Sequence, residues 1–303
     1  MSKLLDKIPF HRKGLIYISL AALMWSSGGL FIKILSRLEL NAFQICFFRS
    51  FIAGFTILTV SMFRNKKIKF EFDIVSLLCS AAFAGILIFF VVATTLTTVA
   101  NVIFLQFTAP VYLLFLEPIF LKTKFKVKNI VTVLICLSGM ALFFFGKIEV
   151  GNIYGNMIAI LSGVSFALFS LFLKWKKQLH KSENTLSQIA LGNFFVAIIY
   201  FPIVFNKLII SSQELLILGF LGIFQIGISY VIYNEGIKYV SAVESLIIAM
   251  LEAIFNPFWV YLGIRERPSN FALLGGFVIL LGILANNFYY KGNSDDKLFT
   301  ESG

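Results

Sequence analysis

The chain has 303 residues, of which 59% are hydrophobic, 16% aromatic and only 14% charged. A soluble domain carries about 25% charged residues, so an ordinary water-soluble fold is excluded and no stretch remains for a separate soluble domain. The formal charge of +11 would suit a nucleic-acid partner, but the basic residues are spread through short loops between apolar runs, which excludes that class.

Ten apolar segments follow one another, each near the roughly 20 residues a helix needs to cross a bilayer. The start, MSKLLDKIPFHRK before an apolar run, has the outline of a signal peptide. The run continues through Leu35 without an A-x-A-type site, so it is read as an uncleaved first span. Span 1 covers about Gly14–Leu35 and carries Trp25-Ser26-Ser27-Gly28-Gly29 near its centre. The small residues there let backbones approach closely, and Trp25 lies deeper than the interfacial belt where tryptophan usually sits. Lys33 is near the far end and can snorkel.

Span 2, about Ala42–Met62, holds Arg49 two turns in, where a structural role paired within the bundle is expected. Span 3 runs about Asp73–Ala93 and ends in the cluster Thr94, Thr95, Thr97 and Thr98. In span 4, about Val99–Leu121, Gln106, Pro110, Leu113 and Glu117 share one face, with Gln106 near mid-depth. Span 5 is about Lys128–Gly146, span 6 about Tyr154–Leu173 with Phe166, and span 7 about Thr185–Phe205 with Asn193. Span 8, about Gln213–Asn234, shows a stripe of Gly222, Gln225, Ser229 and Tyr233.

Span 9, Ser241–Arg267, is the most informative. At about 100° per residue, Ser241, Ser245, Ala249, Glu252 and Asn256 form a small, polar stripe on an otherwise apolar helix. A carboxylate at mid-membrane costs roughly 2.5–3.5 kcal/mol even on insertion scales, so Glu252 marks a substrate or ion path. Glu244 lies about 12 Å nearer one end at 1.5 Å per residue, as a second coupling candidate or a solvated end residue. Pro257 removes a helical hydrogen bond, a break tolerated only inside protein or beside a cavity. Span 10, about Ser269–Tyr290, is glycine-rich.

Cys46, Cys79 and Cys136 lie inside apolar runs and His11 and His180 lie far apart, so no disulfide framework, metal site or cofactor is expected. With the N-terminus inside, nineteen Lys and Arg fall on the cytoplasmic side and five outside. That bias puts both termini in the cytoplasm. The halves are related: a shift of about 143 residues lays Asn41 on Asn184, Phe51 on Phe194 and Gly139 on Gly282. A shift of 141 lays Lys33 on Lys174. Five spans per half is an odd number, so the second half enters the membrane upside down. The expected fold is an all-α polytopic membrane protein of ten transmembrane helices in two inverted five-helix repeats, residues 1–147 and 148–303.

These residues resemble the EamA-like branch of the drug/metabolite transporter superfamily over nearly the whole chain. The likeness lies in GLIYISLAALMWSS, Lys33 and Phe48-Arg49 in the first half. In the second half it lies in YVSAVESL, MLEAIF, Gly263 with Glu266, and LLGGFVILLGI. Ala253 departs from the family's usual proline, and Thr123 from its usual glutamate. The resemblance implies a central cavity lined by spans 1, 3, 4, 6, 8 and 9, with spans 5 and 10 peripheral, and transport of small organic metabolites, often amino acids.

The function expected is a secondary transporter of a bacterial inner membrane, moving an amino acid or amine by alternating access, as an exporter. Glu252 supplies the central charge, for proton coupling or as counter-ion to an amine. Gln106, Asn256, Gln225 and Tyr230 supply hydrogen bonds, and Trp25 or Phe166 an apolar wall that also favours an ammonium group. A passive channel is the alternative. An intramembrane receptor or enzyme is disfavoured, because no H-E-x-x-H, G-x-S-x-G or suitably spaced acidic pair occurs.

Overall fold

Apolar runs of this length become helices because a lipid interior offers backbone N–H and C=O groups no partner except one another. The computed structural model describes residues 9–63, 70–143, 145, 152–180, 185–255, 259 and 270–292, and every regular element among them is helical. In chain order these are α1 (Phe10–Trp25), α2 (Gly28–Arg37), α3 (Ala42–Phe63), α4 (Ile74–Leu96), α5 (Val99–Gln106) and α6 (Ala109–Leu121). After α7 (Val127–Phe143) and α8 (Ile153–His180) come α9 (Leu186–Val204), α10 (Ser212–Phe220), a π-helical segment (Leu221–Ile228) and α11 (Ser229–Gly236). The chain ends with α12 (Ala242–Ala249), helical residues 251–255, and α13 (Asn270–Gly292).

Seven of these runs, counting α1–α2, α5–α6 and α10–α11 as one each, are long and apolar enough to cross a membrane. Residues 127–142 and 273–285 form shorter apolar helices. Span 9 is described only through Phe255 and at Trp259, so Asn256, Pro257 and Gly263–Arg267 lie outside the described residues. The surface is apolar: Phe55, Leu134, Ile198, Leu216 and Phe277 are all exposed, while Arg49, Asn101, Asn193, Asn234 and Glu252 are buried. Polar groups inside and greasy ones outside is the arrangement a lipid solvent demands.

Three runs expected to be continuous are interrupted. Span 1 breaks at Ser26-Ser27, whose hydroxyls turn back to Leu23 O (2.7 Å) and Met24 O (3.0 Å) and satisfy carbonyls that the broken ladder releases. Span 4 breaks at Phe107-Thr108, where Thr108 Oγ1 donates to Leu105 O at 2.7 Å. Pro110 follows in the first turn of α6, where a missing N–H costs nothing. Span 9 breaks at Met250, which stands 143 residues after Phe107.

The packing is paired. Helix α4 lies along α8 much as α11 lies along α1; α9 meets α4 as the π segment meets α3; and α3 packs on α9. Helices α7 and α13 pack on one another at the periphery, with Cys136 Sγ 3.9 Å from Ile279 O across a separation of 143 residues.

The two ends of the bundle are fastened by matching lysines. At the Arg37 end, Lys33 Nζ donates to Thr97 O at 2.9 Å, and the Thr98 hydroxyl caps α5 by accepting from Asn101 N. Thr97 Oγ1 and Asn101 Nδ2 both donate to Asn156 Oδ1, at 2.9 and 3.0 Å, which ties α8 to the same knot. At the Phe10 end, Lys174 Nζ donates to Ile237 O (2.9 Å) and Val240 O (2.7 Å), and the Ser241 hydroxyl caps α12 by accepting from Glu244 N. Charged lysine ends thus hold the carbonyls that the preceding turns leave unmatched.

Below α4 on the Phe10 side, Asp73 caps that helix by accepting from Ser76 N at 3.1 Å and pairs with the buried Lys176 of α8, which also meets Glu71 at 2.7 Å. Burial alone would raise the Asp73 pKa, but hydrogen bonds from Lys176 and Ser76 outweigh it and hold the carboxyl well below the usual range. A depressed carboxylate stabilises the fold above its unfolded pKa of about 3.9 and loses that contribution as pH falls through the folded value. The melting-temperature gap between wild type and Asp73→Asn should therefore be constant from about pH 8 to 5 and shrink below about pH 4. A gap that widens in acid would contradict the pairing.

Candidate functional site

The three helix breaks, the π-helical segment and one buried arginine converge near the middle of the bundle. Trp25, the last residue of α1, is 4% exposed and packs against Tyr230 of α11 at 4.7 Å between ring centres and Phe166 of α8 at 5.8 Å. The close approach is made possible by Gly28. A Cβ there would come within 2.6 Å of Gln225 Nε2, the group that donates to Trp25 O at 3.4 Å. In the π segment each turn is wider than an α turn, and such bulges recur at functional sites. Here the segment carries Gln225 to the break in span 1.

These residues enclose a cavity of about 30 Å³, room for one or two waters. Its polar lining is Arg49, Gln106, Gln225, Tyr230 and Glu252; its apolar lining is Trp25, Phe166, Phe90 and three aliphatic side chains of α4 and the π segment. Glu252 is 5% exposed, and no hydrogen bond or ion pair to its carboxylate is seen among the described residues. Trp25 Nε1 and Gln225 Oε1 are likewise buried without partners. Unmatched polar groups are rare inside native proteins, and several around one cavity mark a place built to receive something.

Of the sequence-predicted site residues, Glu252, Gln106, Gln225, Tyr230, Trp25 and Phe166 all line this one cavity. Asn256 lies outside the described residues. Glu244 is elsewhere: with Ser241 it forms a reciprocal capping box at the start of α12, and it stands 3.8 Å from both His11 Nε2 and Lys128 Nζ. The S-x-x-E spacing that produces this cap was present in the sequence. Arg49 is the residue that sequence reasoning assigned otherwise. It lines the cavity, and no ion pair to it is seen among the described residues.

Next to Trp25, Tyr233 bridges three helices: its hydroxyl meets Ser170 Oγ of α8 at 2.8 Å and Ser245 Oγ of α12 at 2.9 Å. Toward the Phe10 end lies a larger recess of about 180 Å³, reached by Glu117, Lys174, Ser241, Lys124 and Lys126. Glu117 Oε2 accepts from Val243 N at 2.7 Å there, so this carboxylate serves the positive end of α12. Among the described residues no group of three or more His, Cys, Asp or Glu could hold a metal ion.

Comparison with known proteins agrees with this architecture. Residues 12–145 and, separately, 153–288 both match the EamA-like transporter family. The chain belongs to the EamA-like transporter family. An uncharacterized transporter of Archaeoglobus fulgidus is 26% identical over 198 residues, covering 64% of this chain and 69% of that one. A crystal structure that is 14% identical superposes with a TM-score of 0.78 over 92% of this chain and 98% of that one, which shows a shared fold. This EamA-like chain is therefore a multi-pass membrane transporter of a small substrate, and its two family matches divide the cavity's lining. Trp25, Arg49 and Gln106 come from the first, and Phe166, Gln225, Tyr230 and Glu252 from the second.

Proposed function

We propose that the protein is a secondary carrier that moves a small amino acid or amine outward across the plasma membrane by alternating access. The observation that carries this reading is Glu252, a buried carboxyl with no partner among the described residues, facing a cavity lined by both family-matched segments. A charge so placed is costly unless something neutralises it in turn. A substrate ammonium or a proton can do so, and competition between the two would couple their movements. Gln106, Gln225 and Tyr230 supply hydrogen bonds, and Trp25 and Phe166 give aromatic walls that suit an ammonium.

The transport cycle rests on two inverted halves, residues 1–147 and 148–303, each crossing the membrane five times. The support is the matched pair of lysine fastenings. Lys33 and Lys174 correspond in the 141-residue register, their acceptors Thr97 and Val240 in the 143-residue register, yet they close opposite ends of the bundle. Equivalent contacts at opposite ends are what an in-plane two-fold relation produces, and a rocking motion would release one while keeping the other. The lysine and arginine bias supports placing the Phe10 end and both termini in the cytoplasm of a bacterial cell.

The deciding experiment is uphill transport. Purified protein in liposomes with an imposed proton gradient should concentrate a labelled amino acid or amine above its external level. Equilibration that never exceeds the external concentration would identify a passive channel instead.

A further inference from the structure

Arg49 is 2% exposed and could donate five N–H bonds, yet the one seen is from Nη2 to Leu87 O at 3.2 Å. Its Nε is buried without a partner. No carboxylate lies within ion-pairing distance of it among the described residues, although Glu252 lines the same cavity. The cavity therefore holds one basic and one acidic group, both buried and neither paired with an opposite charge among the described residues. Beside them, among the described residues, stand a donor without an acceptor, Trp25 Nε1, and an acceptor without a donor, Gln225 Oε1. A purely structural arginine would be expected to complete its hydrogen bonds with backbone carbonyls or a fixed acid, because a buried unpaired cation is strongly unfavourable.

We infer that Arg49 is the anion-binding residue of the central site, so that the substrate carries a carboxylate as well as an ammonium and spans the cavity between Arg49 and Glu252. This rests on the carrier reading above and narrows its two substrate classes, amino acid or amine, to the zwitterionic one. The planar guanidinium edge suits a carboxylate, which it can hold with two parallel bonds. Glu252 and Gln225 Oε1 offer acceptors to the ammonium, and the aromatic walls accommodate the remaining carbon skeleton. A zwitterion neutralises both buried groups at once. An amine leaves Arg49 unpaired and a simple acid leaves Glu252 unpaired, so each should bind about 100-fold more weakly. At about 30 Å³ the cavity must widen to admit any of these.

The test is isothermal titration of the protein in nanodiscs with three matched sets: alanine, ethylamine and propanoate; leucine, 3-methylbutylamine and 4-methylpentanoate; phenylalanine, 2-phenylethylamine and 3-phenylpropanoate. In wild type at least one amino acid should bind about 100-fold more tightly than both of its analogues. Arg49→Gln should erase the preference over the amine alone, and Glu252→Gln the preference over the acid alone. A structural role for Arg49 would not produce that crossed pattern. If Arg49→Gln does not fold, the wild-type comparison decides by itself. An amine that binds wild type as tightly as its amino acid overturns the assignment of Arg49 while leaving a Glu252-centred amine carrier standing. No binding by any of the nine overturns both.

Discussion

Glu252→Gln should lower transport of the substrate by about 10- to 100-fold while leaving the protein folded and inserted. The estimate follows from the worth of a hydrogen bond to a charged group, about 1.5–3 kcal/mol, which is one to two factors of ten in an equilibrium or rate constant. Glutamine preserves the size and hydrogen bonding of the side chain but removes the charge that a substrate ammonium or a proton would neutralise. The fold should tolerate the exchange, because no ion pair or hydrogen bond from the described residues depends on that carboxylate. Melting temperature should hold or rise, since a buried unpaired charge disappears. The comparison is Glu244→Gln. There the carboxylate closes a capping box and faces His11 and Lys128, so the loss should appear in stability, with transport little changed. Initial rates in liposomes across a range of pH, with circular dichroism melts of the same preparations, separate the two. A Glu252→Gln protein that transports at the normal rate with the normal pH profile would reduce Glu252 to a structural acid.

A large effect on stability is expected at Gly163. This residue of α8 lies directly against the break in span 4: a Cβ added there would come within 2.8 Å of Gln106 O and 3.0 Å of Leu105 O. Both obstacles are backbone carbonyls, which cannot swing aside as a side-chain tip can. Gly163→Ala must therefore push α8 away from α5, at a cost of about 1–3 kcal/mol for overpacking. Gly219 in α10 is the control, because a Cβ there meets nothing within 4 Å. Gly219→Ala should be neutral or stabilise by up to about 1 kcal/mol, through helix propensity and a less disordered unfolded chain. One chemical change at two positions should thus give melting shifts of opposite sign. Because Gln106 lines the cavity, Gly163→Ala should also weaken substrate binding, whereas Gly219→Ala should not. Equal shifts for both variants would mean that the approach of α8 to the break is not tight.

The sequence by itself determined the solvent, the number and rough extent of the apolar runs, the relation between the two halves, and six of the residues that meet in the cavity. It could do so because each is a local signal. Composition reports lipid, the period of a helix reports a polar stripe, and Glu252, Gln106 or Gln225 stands out because a polar group in an apolar run has few other reasons to be there. The 143-residue register was likewise readable, and it reappears as contact between Cys136 and Ile279 and in Thr97 and Val240, the acceptors of the matched lysine fastenings.

Only the tertiary structure decided which polar residues find partners and which are left facing the cavity. Arg49 and Glu244 show the difference. In the sequence both are charges on apolar helices, Glu244 reading as a coupling candidate or a solvated end residue and Arg49 as a structural one. In space Glu244 is held by the start of its own helix and stands beside His11 and Lys128, whereas Arg49 meets one carbonyl and a cavity. The interruptions at residues 26–27, 107–108 and 250 follow the same logic. Pro110 already marks the second of them in the sequence, but Ser26 and Ser27 are not strong breakers. They open because partners that exist only after packing, such as the Trp259 indole donating to Ser26 Oγ at 2.7 Å and Gln225 donating to Trp25 O, hold the interrupted form. Those partners lie about 200 residues away along the chain, and no local pattern carries the register that brings them together.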